Sequence, residues 1–330
     1  MPLQGATRVL SVGIGGGGDV VGALATAEYA RSLGAEAIVG GLTWERRPID
    51  PEPGPRRLDE IENAEVLNEA VALAGAETVT RNGRIPFAES HMAGHLGERT
   101  VLVDPNPGPR RVGAGLEDAA RRLGCDAIAL VDVGGDALAH GDEPGLASPL
   151  ADAVLLATAR HIDPSLRVVA AVFGAGCDGE LTPGEVLDRI AEVATRGGWV
   201  GAYGLSPEAT DKLEAAIAVV PTEASAMAVR CARGARGGTT IRRGRRKVEL
   251  SPVGGLTFYL DPHVAMATAA RLADAVADAD SMEEANAILH RLGVRSELDY
   301  EVDMAAAGVS SQGESTAGGR SAGPHDAPRS

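Results

Sequence analysis

Apolar residues along the chain fall into short unbroken runs, separated by Gly-, Asp- and Pro-rich turns and by longer Ala- and Leu-rich segments. Val9–Val12, Ala35–Gly40, Thr100–Val103, Ala127–Val133, Arg167–Phe173 and Trp199–Leu205 read as strands. A run such as AIALVDV, with one polar position, suits a strand covered on both faces. Helical segments follow these runs at Val20–Leu33, Gly115–Leu123 and Pro149–His161, from Thr182-Pro183, from Ser206-Pro207, and over Thr222–Arg233. Pro149 occupies the first helical position, where its missing N–H costs nothing, and Ser206 stands where an N-cap is expected. Strand–helix alternation through short connections predicts parallel strands with right-handed crossovers.

The pattern changes in the last third. Thr239–Leu260 reads as a hairpin or two strands turned at Arg243-Gly244, followed by helices over Pro262–Ala277 and Ser281–Leu292. From about Ala307 the chain is Ser, Gly, Ala and Pro with little to bury, which predicts disorder. Between the early strands, TWERRPIDPEPGP (Thr43–Pro55) is an irregular loop, and Asn82-Gly83 marks a turn.

One junction organises the rest: VLSVGIGGGGDVVGA, in which the first strand runs into Gly13-Ile14-Gly15-Gly16-Gly17-Gly18, then Asp19 and a helix. Gly13, Gly15 and Gly18 satisfy G-x-G-x-x-G after a strand and before a helix, the context that pattern requires. Glycines there reach positive φ and let a ligand approach the backbone, and the free N–H groups of a helix start favour an anion. Asp19 opposes a bare phosphate unless a cation lies between them. The acidic residue expected to close the second strand of a dinucleotide site is replaced by Glu45, which comes late. The fold expected is a three-layer α/β/α Rossmann-like sheet, mostly parallel, with a smaller α+β C-terminal portion. Residues 1–306 are expected to form a single domain, with 222–306 as that C-terminal subregion and 307–330 as a disordered tail.

Composition narrows the function. The 330-residue chain carries a formal net charge of −15, which disfavours nucleic acid and anionic membranes as partners. Aromatics make up only 3% of the residues, so the core is built from Ala, Val, Leu and Ile. Cys125, Cys177 and Cys231 are too few and too scattered for a disulfide framework or a Cys-x-x-Cys metal site. No basic-then-apolar leader opens the chain, and no run of roughly 18 apolar residues could span a membrane. The expected setting is a reducing cytoplasm.

The densest chemistry lies in VDVGGDALAHGDEPGLASPLAD, Val131–Asp152. Asp132 interrupts an apolar run, where a lone carboxylate is costly unless paired, protonated or bound to a cation. Gly134 and Gly135 turn the chain, and Asp136, His140, Asp142 and Glu143 follow within a few residues. Clustered oxygens at a strand end suit Mg²⁺ or Mn²⁺. A companion loop, Gly174-Ala175-Gly176-Cys177-Asp178-Gly179-Glu180, follows the next strand and offers Asp178 and Glu180. His91 and His95 stand at helical i, i+4 spacing without the glutamate of a zinc protease, and a surface pair is expected. Arg242, Arg243, Arg245, Arg246 and Lys247 form one basic cluster, expected as a solvated hairpin face, with an anion clamp as the alternative.

The segments GIGGGGDVVGA, WERRPIDPEPGP, VDPNPGPRRV and VDVGGDALAHGDEPGLASPLADA together resemble an uncharacterised family known as domain of unknown function 1152, over roughly Arg8–Ala305. That resemblance implies a Rossmann-like fold marked by the glycine loop and the Asp132–Asp152 segment, and no activity. The chain is also similar to glutamate cyclase-like lyases at Gly18-Asp19-Val20-Val21-Gly22-Ala23 and Val133-Gly134-Gly135-Asp136. In the second motif Asp136 replaces an Asn and Ala137 a Glu.

The residues together predict a metal-assisted lyase or hydrolase acting on a small anionic metabolite that bears a carboxylate or phosphate. Gly13, Gly15, Gly16, Gly17, Gly18, Gly134, Gly135, Gly174 and Gly176 are the expected ligand-binding glycines. Asp19, Asp132 and Asp136 are the expected ligands of a divalent Mg²⁺ or Mn²⁺, and His140, Glu143 and Asp132 the expected catalytic groups. The alternatives are a nucleotide-dependent transferase or kinase, although no G-K-[ST] completes a P-loop, and a non-catalytic nucleotide or metabolite sensor. A homo-oligomer is the remaining partner expectation.

Overall fold

The computed structural model describes residues 1–47 and 49–308. The expected disordered tail lies almost wholly outside them. In chain order the strands are β1 (Arg8–Gly13), β2 (Glu36–Leu42), β3 (Ile61–Glu62), β4 (Glu65–Val66), β5 (Val71–Ala74), β6 (Val79–Thr80), β7 (Thr100–Val103), β8 (Ala127–Val133), β9 (Arg167–Phe173), β10 (Trp199–Gly204), β11 (Gly237–Ile241), β12 (Arg246–Leu250) and β13 (Leu256–Leu260). The helices are α1 (Val20–Ser32), α2 (Ala88–Leu96), α3 (Pro109–Arg122), α4 (Pro149–Ala157), α5 (Pro183–Thr195), α6 (Pro207–Ile217), α7 (Glu223–Ala232), α8 (Pro262–Met266), α9 (Arg271–Val276), α10 (Met282–Arg291) and α11 (Glu297–Ala306).

The central sheet runs β10-β13-β9-β8-β1-β2-β7-β5-β4. Its middle, from β9 to β7, is parallel, and antiparallel strands close both edges. Alternation along each strand produces three layers. On β8, Ala127, Ala129 and Val131 pack with Val21 and Leu24 of α1, whereas Ile128 and Leu130 pack with Leu155 and Val154 of α4. The α/β class and mostly parallel sheet are as expected.

Local signals account for most elements. β7, β8 and β9 coincide with the apolar runs. Side chains of Thr182, Ser206 and Thr222 accept from Glu185, Ala209 and Ser225 N–H and so cap α5, α6 and α7. Three expectations change. Helix α3 begins at Pro109, not near Gly115, because Gly108 at φ +84 admits a proline first turn. The helix expected over Pro262–Ala277 is broken into α8 and α9, since Ala270 leaves helical geometry at ψ 63. Strand β10 does not lie beside β9: β13, from the C-terminal third, pairs antiparallel with both.

Every parallel strand ends on one edge of the sheet, so the loops after β1, β2, β8 and β9 gather there. Open α/β sheets bind ligands at that edge.

Candidate metal and anion site

A cavity of about 940 Å³ opens at this edge. Gly15 to Asp19 after β1, Glu45 and Arg46 after β2, and Asp136 after β8 form part of its wall. Ser148 and Asp152 at the start of α4, Asp178 and Glu180 after β9, and Arg242, Arg245 and Arg246 at the β11–β12 hairpin add to the polar lining, with Glu297 and Glu301 of α11. The two glycine turns near residues 15 and 135 thus serve one cavity.

The glycine loop is shaped by contacts as much as by a ligand. Gly16 and Gly17 have φ of +79 and +53. Gly17 N–H donates to Trp44 O at 2.9 Å, and Gly15 N–H donates to Asp19 Oδ2 at 3.0 Å. Two amides that could have met an anion are therefore occupied, whereas Asp19, at the N-cap of α1, makes no side-chain bond to the helix start. A Cβ on Gly13 would lie 2.5 Å from the Asp19 backbone, and one on Gly18 would lie 2.3 Å from Thr222 Cβ, so these glycines let α1 and α7 close on the loop.

The other expected ligand-binding glycines do not line this cavity, although Gly176 lines a neighbouring one of about 770 Å³. Gly134 packs so closely on the β9 loop that a Cβ would sit 2.3 Å from Asp178 Cγ. Gly135 packs against Val186, and Gly176 N–H donates to Gly134 O at 2.7 Å. Gly174 N–H donates to Leu256 O. These glycines bring the β8 and β9 loops together, which is what places Asp178 and Glu180 beside Asp136.

The acids converge. Oxygens of Asp132, Asp136 and Asp152 lie within 4.8 Å of one another, and so do oxygens of Asp136, Asp178 and Glu180. All five residues are buried. Asp132 is held by Gly135 and Ala137 N–H groups at 3.3 and 3.1 Å. Glu180 accepts from Ala147 N–H, Ser148 N–H, the Ser148 hydroxyl and Arg246, the last at 2.7 Å. Asp152 Oδ1 and Asp178 Oδ1, by contrast, have no hydrogen-bond partner.

Burial and mutual repulsion raise their proton affinity. Asp19 is pushed up to about 8 by burial and by the charge of Asp132. Asp132 rises to about 6 through burial, with backbone N–H donors restraining it. Asp136, Asp152 and Asp178 all lie well above the carboxylate range, through burial first and neighbouring carboxylates second. A cation removes both penalties, and an all-oxygen donor set suits Mg²⁺ or Mn²⁺.

The positive side of the cavity comes from the basic hairpin, whose Arg242, Arg243, Arg245 and Lys247 are also exposed, as expected of a solvated hairpin face. Arg242 and Arg243 hold left-handed φ of +53 and +57 at its tip, a strained conformation that turns the segment over the site. Arg242 is shifted down by burial and by the charge of Arg246. Arg46 lies 4.0 Å over the Trp44 ring and donates to Gly15 O and to Glu297.

Other candidates stand elsewhere. His140 pairs with Glu192 at 3.0 Å, and Glu143 accepts from Arg189 and from the backbone N–H of His140 and Gly141, so both belong to a network with α5. Neither is among the residues that line the cavity. His91 and His95 are exposed on α2. Cys177 is buried against Gly254. Sequence reasoning did not reach Arg46, Glu297 or Glu301 as site residues, and Asp152 passed as part of a helix start.

A family described as "Protein of unknown function (DUF1152)" matches residues 10–305. The chain belongs to that family. The glycine loop, the five clustered acids and Glu297 and Glu301 of α11 all fall within the DUF1152 match. No curated protein and no solved structure matches the chain, and the glutamate cyclase-like resemblance is not shown. Among the described residues, no helix is long and apolar enough to cross a membrane.

Proposed function

We propose that this DUF1152 protein is a metal-assisted hydrolase or lyase acting on a small phosphate- or carboxylate-bearing metabolite. One observation carries the reading: buried acid oxygens without partners, on Asp152 and Asp178, share a cavity with Arg242, Arg245 and Arg246. The carboxylates hold a divalent cation that polarises a substrate oxygen, and the arginines take the anionic group, for which their planar N–H pairs are suited. Asp19, expected as a cation ligand, belongs to neither set of clustered oxygens. It is kept in place by Gly15 N–H and raised to about 8 by burial and the Asp132 charge, which with Glu45, raised to about 7, makes it a group of this cavity suited to proton transfer. The glycine loop then serves to position Asp19 as much as to meet the ligand. Cys125, Cys177 and Cys231, all buried free thiols, accord with a cytoplasmic setting.

The cavity volume favours a second reading. About 940 Å³ is at the large end of small-molecule sites, and a nucleotide fits such a space, as substrate of a transferase or as the ligand of a sensor. The deciding experiment incubates purified protein with Mn²⁺ and a panel of phosphomonoesters, nucleoside phosphates and small amides or lactams. Mn²⁺-dependent conversion of one class, lost in Asp152→Asn, supports the enzyme. Nucleotide-dependent thermal stabilisation with no conversion of any class favours the sensor instead.

A further inference from the structure

We infer that the cavity is built for two divalent cations, with the Asp136 carboxylate as the bridge between them. This rests on the cation reading above and extends it from one ion to a pair.

The acids do not form one cluster. Asp132, Asp136 and Asp152 make one set of oxygens within 4.8 Å, Asp136, Asp178 and Glu180 make another, and Asp136 alone belongs to both. Each set has its own unanswered acceptor. Asp152 Oδ1 in the first and Asp178 Oδ1 in the second are buried without a hydrogen-bond partner, in residues only 2% and 6% exposed. Leaving such an atom unpaired is costly. An ion held by the first set satisfies Asp152 and leaves Asp178, whose Oδ1 lies on the Gly134 side of the β9 loop, without a partner, and a second ion on the second set engages that carboxylate.

Charge points the same way. When ionised, the five carboxylates carry five negative charges, and Arg246, 2.7 Å from Glu180, offsets one. Among these six groups alone, one divalent cation leaves two negative charges uncompensated and a second leaves none. Asp136 can give one oxygen to each ion, the arrangement of two-metal sites whose ions lie about 3.5–4 Å apart. Its position is fixed by Gly135, whose φ of +115 starts the turn that carries Asp136 between the β8 and β9 loops. The donors are all carboxylates, with the Ser148 hydroxyl beside Glu180, so the ions are of the Mg²⁺ and Mn²⁺ class. Glu180 already accepts several hydrogen bonds, which makes the second set the weaker one and filling sequential.

The test strips the full-length protein with EDTA and titrates it with Mn²⁺, reading stoichiometry by calorimetry and the bound ions by electron paramagnetic resonance. Two Mn²⁺ per chain, filling in sequence and giving an exchange-coupled spectrum at saturation, is the expected result. Asp178→Asn, close in shape to the wild type, should bind one Mn²⁺ with an isolated-ion spectrum. One Mn²⁺ per wild-type chain overturns the pair and leaves the single-cation reading standing, whereas no binding overturns both. Two uncoupled ions overturn the Asp136 bridge, and two ions in Asp178→Asn overturn the second set. Should that variant fail to fold, the wild-type stoichiometry and coupling decide the matter alone.

Discussion

Arg46 and Glu297 meet at 3.2 Å across a separation of 251 residues. The same Glu297 carboxylate accepts from Leu150 and Ala151 N–H at 3.0 and 2.9 Å, the first turn of the helix that carries Asp152. One acid near the end of the described chain thus fixes both the loop after β2 and a candidate cation ligand, and its charge complements the helix start. Glu301 reinforces the arrangement by accepting from Trp44 Nε1 at 3.0 Å. Replacing Glu297 with Ala leaves Arg46 without this partner, and breaking a buried pair costs about 3 kcal/mol. Urea unfolding should show a lower midpoint with an unchanged slope, and Mn²⁺ affinity should fall with it.

Gly15→Ala separates site from fold. A methyl there would lie 2.5 Å from Asp19 Oδ2 and 3.1 Å from Asp152 Oδ2, both ends of movable side chains. Mn²⁺ affinity should drop roughly 10- to 100-fold, the range seen when groups that orient metal ligands are disturbed. Stability should change by less than about 1 kcal/mol. Gly18→Ala should behave oppositely, because its methyl meets Thr222 at 2.3 Å and forces α7 off the loop. Thermal melts of both variants, with and without Mn²⁺, check the contrast.

Stability of the metal-free protein should fall as pH rises. Asp132, Glu45 and Asp19 are raised to about 6, 7 and 8, each by burial first. A folded state that holds its protons more tightly than the unfolded chain is favoured at low pH, and that stabilisation is lost as pH passes through the folded-state values. The melting temperature should therefore decline between about pH 5 and about pH 8.5, and Mn²⁺ should reverse the decline increasingly toward the alkaline end. Glu89, buried with both oxygens unpartnered and raised by burial and by Glu45, contributes to the same trend. Glu89→Gln should flatten it. A melting temperature that is constant or rises across this range contradicts the account.

Arg242→Gly should weaken anion binding without harming the fold. Glycine relieves the strain of φ +53, so stability should hold or rise by up to about 1 kcal/mol. Losing a charge-assisted contact of about 1.5–3 kcal/mol should reduce affinity for inorganic phosphate or pyrophosphate, measured with Mn²⁺ present, by roughly tenfold to a hundredfold. Equal phosphate binding by wild type and variant removes Arg242 from the anion site.

The chain's own pattern set out the scaffold and half of the chemistry. Apolar runs fixed β7, β8 and β9, because a strand buried on both faces leaves no room for polar alternation. Thr182, Ser206 and Thr222 marked helix starts, since capping is satisfied within a few residues. The glycine turn and Asp132 stood out as costly residues in their local setting. Such features depend on neighbours in sequence, so a linear reading reaches them.

Partnership across the fold was decided by tertiary structure alone. No local signal says that β13 inserts between β9 and β10, that Asp178 and Glu180 come beside Asp136, or that the basic hairpin bends over the cavity. His140 and Glu143 looked like site residues because they follow Asp136 closely, but α5 supplies Glu192 and Arg189 to hold them. Glu297 carried no hint at all, being one acid among many in an acidic chain. Charges are assigned to one another by distance in space, and that distance is set only when the sheet order and the packing of its helices are complete.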